Sequence, residues 1–367
     1  GDFQGDGVAF VANDILFGKL RPYLAKVLLA TEEGEAVGDF HVLRPDADLF
    51  PRYAQYQMLQ RQFIDVIDGS TFGSKMPRAS WESLGGMPFV IPEYEEQQII
   101  AAFLDGETAK IDALIAEQET LLALLAEKRQ ATISHAVTRG LDPDVPMKDS
   151  GIAWLGEVPA HWEMRRLKTL SPAITVGIVV NPSDYVSDEG LPFIYGGDIR
   201  EGNISLENCR RIAPGDSDMQ PKTRLNAKDL LTVRVGAPGV TAVVTEECEG
   251  GNCASVMLIR RGAFDSDWLC FAMNSRMVRY QVEVVQYGAA QEQFNIGHAI
   301  NFWIATPPVR EQQELAHLLS MRVKKIDDLS MDAQRTIALL AERRSALIAA
   351  AVTGKIDVRG QVEAQAA

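Results

Sequence analysis

Four cysteines are the first residues whose chemistry invites a reading. Cys248-x4-Cys253, with Cys209, Cys270 or His298, could supply a zinc set. The spacing matches no common structural-zinc pattern, so small buried or half-exposed thiols are the better reading. The five histidines (His41, His135, His161, His298 and His317) form no cluster in sequence. No G-x-x-x-x-G-K-[ST] loop is present to cradle phosphates, which argues against a nucleotide-driven motor. Gly5-x-Gly7 lacks a third glycine at dinucleotide spacing, and no Asp…Glu-x-Lys nuclease cluster occurs. Asn181-Pro182-Ser183-Asp184-Tyr185 approaches the Asn-Pro-Pro-aromatic signature of amino-methyltransferases, but the second proline is missing and the aromatic comes one residue late. It reads as a turn.

The chemistry left is non-covalent. In the second half of the chain Tyr195, Arg200, Lys222, Arg224, Arg234, Gln291, Gln293 and Asn295 lie in stretches that read as loops suited to polar contacts. Lys19, Arg21, Tyr23, Lys75 and Arg78 do so in the first half. Arg, Gln and Asn make the bidentate hydrogen bonds that distinguish guanine and adenine edges, and Lys and Arg hold phosphates. A lone surface Lys or Arg is usually only solvated. These gain weight because they recur at corresponding places of two repeated segments. The 36 basic residues against 50 acidic ones give a net charge of −14, which argues against a general polyanion binder. Any nucleic-acid contact must come from local basic patches or be shared with more basic partners.

The positioning elements come from an internal repeat. Residues 92–142 align with 307–357 without a gap at an offset of 215, with 22 of 51 positions identical. Both copies have the spacing of one long amphipathic helix of about 40 residues, about 60 Å at 1.5 Å per residue. Leu104, Ile111, Leu114, Leu122 and Leu125 form one stripe, and Leu319, Ile326, Leu329, Ile337 and Leu340 the other. Helices this long must bury their stripes, and each repeat is the natural partner of the other, so an antiparallel or closely crossed pair is expected. The alternative packs each helix on its own domain. Upstream, Asn13-Asp14-Ile15-Leu16 matches Lys228-Asp229-Leu230-Leu231 at the same offset. Strands are expected over 173–180, 191–195, 230–233, 240–245 and 255–259, and helices over 268–285 and 51–67.

With these features together, the sequence resembles the specificity subunits of Type I restriction–modification systems. Pro307-Pro308-Val309-Arg310-Glu311-Gln312 resembles the motif that opens the family's conserved helix, and residues 339–357 resemble that helix's end. Residues 147–159 with His161-Trp162-Glu163 resemble the start of a target-recognition domain, and Asp229-Leu230-Leu231 its core strand. The resemblance implies an α+β fold: two α/β target-recognition domains separated by two long antiparallel coiled-coil helices, as a pseudo-two-fold internal repeat. The expected division is a first recognition domain at 1–93, N-terminally incomplete. A spacer helix at 94–145, a second recognition domain at 146–308, a spacer helix at 309–357 and a tail at 358–367 follow. The implied role is that of a non-catalytic, cytoplasmic reader of a bipartite site in double-stranded DNA. It would dock two modification (methyltransferase) subunits and a restriction or motor subunit. It would hold no metal or cofactor, with S-adenosylmethionine, ATP and Mg on the partners. The competing readings are a helical scaffold without DNA readout and a zinc hydrolase.

Overall fold

The computed structural model describes residues 7–71, 77–286 and 293–359. They form two compact units, Gly1–Leu122 with Met331–Ala367, and Ala123–Ser330. Two long helices, Tyr94–Arg139 and Val309–Val352, each contribute one half to either unit. Within each unit the halves of the two helices bury apolar residues against one another and against the smaller elements of that unit.

In the first unit the strand Ile15–Gly18 lies between Val27–Leu29 and Phe40–Leu43, all antiparallel. Ile15 and Phe17 pack against Ala54, Met58, Phe63 and Ile67 of the helices Pro51–Leu59 and Arg61–Gly69. The single helix expected over 51–67 is broken at Gln60, whose extended backbone starts the second helix. Behind these helices, Tyr53 and Tyr56 pack with Ile100, Phe103 and Leu104 of one long helix and Ile348, Ala351 and Val352 of the other. Asp112 accepts hydrogen bonds from the Arg344 guanidinium further along, so the two segments run antiparallel.

The second unit repeats this frame. Leu230–Thr232 lies between Thr241–Val243 and Met257–Ile259, with Ile174–Val176 as a fourth strand. Ser266–Asn274 and Arg276–Val285 replace the single helix expected over 268–285, broken at Ser275 just as the first unit breaks at Gln60. Their starting residues lie 215 beyond Pro51 and Arg61. The unit also carries a sheet of Arg210–Ile212, Leu191–Ile194 and Asn252–Cys253, and a ladder of Glu163–Arg166 with Trp303–Thr306. Ile133, Ala136 and Val137 of one long helix meet Leu315, Leu319 and Val323 of the other in its core. Arg129 donates to Asp327 at 2.9 Å, again antiparallel.

Polar groups repeat as closely as the helices. Gln97 and Gln312 are both buried near the start of a long helix. Gln97 accepts from the Phe50 amide and donates to the carbonyls of Asp48 and Pro92. Gln312 accepts from the Asp265 amide and donates to the Pro307 carbonyl. Phe50 and Asp265, like Pro92 and Pro307, are 215 apart. Each glutamine thus ties a helix start to the segment that leads into the short helices, satisfying backbone groups that burial would orphan. Asn13 and Lys228, at φ of 72° and 70°, turn the chain into the core strand in the same left-handed way. The acid that follows, Asp14 or Asp229, is buried and accepts from the backbone amide three residues before it.

Of the stripe residues, Leu104, Ile111, Leu125, Leu319 and Ile326 are buried, and Leu122, Ile337 and Leu340 are half-buried. Leu114 and Leu329 are corrections: they stay 46% and 54% exposed and take no part in the helix pair. The buried seam steps by four and three through positions 104, 108, 111, 115, 118, 122 and 125, so Ile115 and Ser330 occupy the inward positions.

Candidate nucleic-acid interface

The candidate surface grows out of one backbone arrangement built twice. After the core strand of the first unit, the Ala79 amide donates to the Lys19 carbonyl and the Arg21 amide to the Pro77 carbonyl. A bridge thus forms between Leu20 and Arg78. In the second unit the Phe294 amide donates to the Arg234 carbonyl, and the bridge joins Val235 and Gln293. Lys19, Leu20, Arg78 and Ala79 each lie 215 residues before Arg234, Val235, Gln293 and Phe294. Ala79 and Phe294 are buried and anchor the segment. Alternation along an extended chain then turns Arg78 and Gln293 the other way. A short helix follows in each unit, capped by the Ser80 and Asn295 side chains.

Around the first bridge are Lys19, Arg21 and Arg78. Lys19 donates to the Gly38 carbonyl, and the Arg78 guanidinium lies 3.3 Å from Asp39, both partners being about half exposed. An ion pair this wet is weak and leaves the arginine free to turn to another acceptor. Tyr23 stands exposed on the turn Pro22–Leu24.

The second bridge borders an open cleft of about 540 Å³ lined by Gly196, Gly197, Arg200, Val235 and Gly236. The turn Gly196–Asp198 forms because the Asp198 carboxylate accepts from the Tyr195 amide. Arg200 folds back onto the Gly197 and Ile199 carbonyls, and Arg234 donates to the Phe294 carbonyl. The Arg210 guanidinium stacks 4.3 Å from the centre of the Tyr195 ring, and burial pushes the Tyr195 phenol up from its ordinary value. Of the expected contact residues Arg200 lines the cleft, and Tyr195, Arg234 and Gln293 adjoin its lining through Gly196 and the Val235–Gln293 bridge. Asn295 is adjacent in sequence, but its carboxamide oxygen is engaged by the Gly297 amide.

Lys222 and Arg224 are not part of this cleft. Arg224 pairs with Asp218 at 2.7 Å, and the carbonyls of Lys222 and Arg224 accept from Arg260. Lys75 and Gln291 lie outside the described residues.

Sequence reasoning missed two arginine sites. Arg210 reaches Tyr195 because strand pairing sets Phe193 opposite Arg210, a register that spacing alone does not give. Arg129 joins Asp327 to Glu201, which also accepts from Arg279. Arg129 and Arg344 are identical at offset 215, as are Asp327 and Asp112, and that identity was the signal available.

The four cysteines are buried and free, and burial pushes the Cys253 and Cys270 thiols up to about 12. They are small core groups rather than thiolates. Among the described residues no cluster of three His, Cys, Asp or Glu is placed to hold a metal ion. No helix there is long and apolar enough to cross a membrane.

No protein-family model matches the chain. The specificity subunit of the Type I restriction enzyme EcoBI of Escherichia coli is 24% identical over 316 residues, covering 82% of this chain and 65% of that protein. The chain thus spans about two thirds of that relative's length. The HsdS subunit from Thermoanaerobacter tengcongensis shares the fold with a TM-score of 0.51 at 18% identity, over 95% of this chain and 82% of the other. A chain from a structure on the complex assembly and conformational transition of the type I R-M system matches with a TM-score of 0.67 at 19% identity, over 95% and 84%. The fold is therefore that of these proteins, mixed helix and strand with two long helices. The resemblance to Type I specificity subunits holds in sequence and in structure.

Proposed function

We propose, from that resemblance, that the chain is the DNA-reading subunit of a Type I restriction–modification complex, with no catalytic site of its own. One observation supports this most. The same bridge is built in both units and turns an exposed or half-exposed Arg78 or Gln293 outward beside a basic Lys19 or Arg234. Side chains of these types hydrogen-bond base edges and phosphates. Two such surfaces fit a bipartite duplex site. With a net charge of −14, the chain draws most of its phosphate neutralisation from its partners.

Those partners are two modification subunits that carry S-adenosylmethionine and a restriction subunit that carries ATP and Mg, assembled in the cytoplasm. The long helices support the pairing of partners. Leu114 and Leu329 are exposed at matched positions, and so are Leu124 and Leu339. A repeated apolar surface suits two copies of one protein. This feature also favours a second reading, a helical scaffold without DNA readout. Exchanging residues 191–302 for the matching segment of another specificity subunit separates the two. The reader requires the modified sequence to change with the segment, and an unchanged sequence leaves only the scaffold.

A further inference from the structure

We infer that positions 78 and 293 are the equivalent specificity-determining residues of the two units, Arg78 selecting guanine in one half-site and Gln293 adenine in the other. The inference rests on the DNA-reading function proposed above. Its ground is the identity of the two frames and the difference in what they carry. Both residues sit on the isolated bridge that follows the core strand, Leu20–Arg78 and Val235–Gln293. Both precede a buried anchor, Ala79 or Phe294, and a short capped helix. A fixed backbone with an outward side chain is what a base contact requires, since a shift of about one ångström breaks a bidentate pair.

The neighbouring position keeps its character. Lys19 and Arg234 are both basic and suit a phosphate, which sets register without reading sequence. The position across the bridge changes type. Arg offers a planar fork of donors that matches the two acceptors of guanine, O6 and N7. Gln offers one donor and one acceptor, the complement of adenine N6 and N7. The surroundings agree with each assignment. Asp39 lies beside Arg78 and keeps a cation at home there before DNA arrives. Among the described residues the Gln293 carboxamide has no hydrogen-bond partner, so both its groups are available at the edge of the cleft.

The experiment is an exchange. The full chain, R78Q and Q293R are each combined with the modification subunits of their own system and selected against a random duplex library. The expected result for R78Q is that one guanine of one half-site gives way to adenine, by about tenfold or more in preference, with the other half-site unchanged. Q293R shifts one adenine of the other half-site to guanine. If either variant binds a bipartite site with unaltered base preferences, the assignment fails and the reading function stands. A loss of affinity equal across all sequences, with a smaller salt slope, makes the residue a phosphate contact and also overturns it. If the unaltered chain selects no bipartite site, the reading function itself fails, and this inference with it. R78K and Q293N check geometry: R78K keeps the charge but loses the planar fork, Q293N keeps the amide but loses one methylene of reach, and base preference weakens without switching.

Discussion

The two units place a buried carboxylate at the same point of the same strand but give it different company. Asp14 is held by Arg44, whose side chain is 65% exposed. Asp229 is held by Arg260, only 17% exposed, and accepts as well from the Arg261 amide. The helix ion pairs diverge in the same direction. Asp112–Arg344 stands alone near the surface, whereas its counterpart Asp327–Arg129 continues into Glu201 and Arg279. The second unit keeps the shared frame and lays residues 147–228 over it, among them the fourth strand, Ile174–Val176. The frame is thus a repeated scaffold, and the same polar group does more structural work where it is drier.

That contrast can be broken by substitution, beginning with the aspartates. Asp229→Ala leaves a largely buried guanidinium with carbonyl partners but no counter-charge and should cost the second unit about 3–5 kcal/mol in denaturant unfolding. Asp14→Ala should cost clearly less, because water can solvate Arg44. Equal losses would mean that the added layer does not deepen the site. The glutamines should behave alike. Gln97→Leu and Gln312→Leu each leave buried backbone groups unpaired and should lower stability by about 1–3 kcal/mol in their own unit. Trp81 reports on the first unit by fluorescence and the four other tryptophans on the second. A tenfold disparity in the two equilibrium effects would deny the equivalence.

The arginines sharpen the comparison further. Arg129→Ala removes the shared partner of Glu201 and Asp327 and should destabilise by about 1–2 kcal/mol, while Arg344→Ala should cost less than about 1 kcal/mol. Equal values would make the Glu201 extension inert. The smallest effect concerns pH. The hydrogen bond from Arg44, ahead of the opposing effect of burial, holds the Asp14 carboxyl below its ordinary 3.8. Its contribution is complete above that value and is lost as pH falls through the lower folded one. Between pH 5 and 2 the parent should lose more stability than Asp14→Asn, and parallel curves would remove the carboxylate from the account.

Much of this frame was legible before any coordinates. Offset 215 identified the long helices and the core strands, and it also held, unread, the Arg129–Asp327 and Arg344–Asp112 identities behind the ion pairs of each helix half. Periodicity could not choose between Leu114 and Ile115, because one apolar residue beside another satisfies both the three and the four step. The breaks at Gln60 and Ser275 escaped because neither residue type forbids a helix, and tertiary packing decides. In the candidate interface, composition marked Arg200 and Arg234 as it marked Lys222 and Arg224. Only the folded structure separates them: Arg200 lines the cleft and Arg234 adjoins it, whereas Arg224 pairs with Asp218 and Lys222 lies outside the cleft lining.

The proposed reading of two separated stretches of duplex by two copies of one frame is tested most directly by footprinting the chain with its modification subunits on a selected duplex. Two short protected tracts, separated by base pairs whose sequence can be changed freely, are expected. A single continuous tract whose every position matters, or no protection with the partners present, would contradict it.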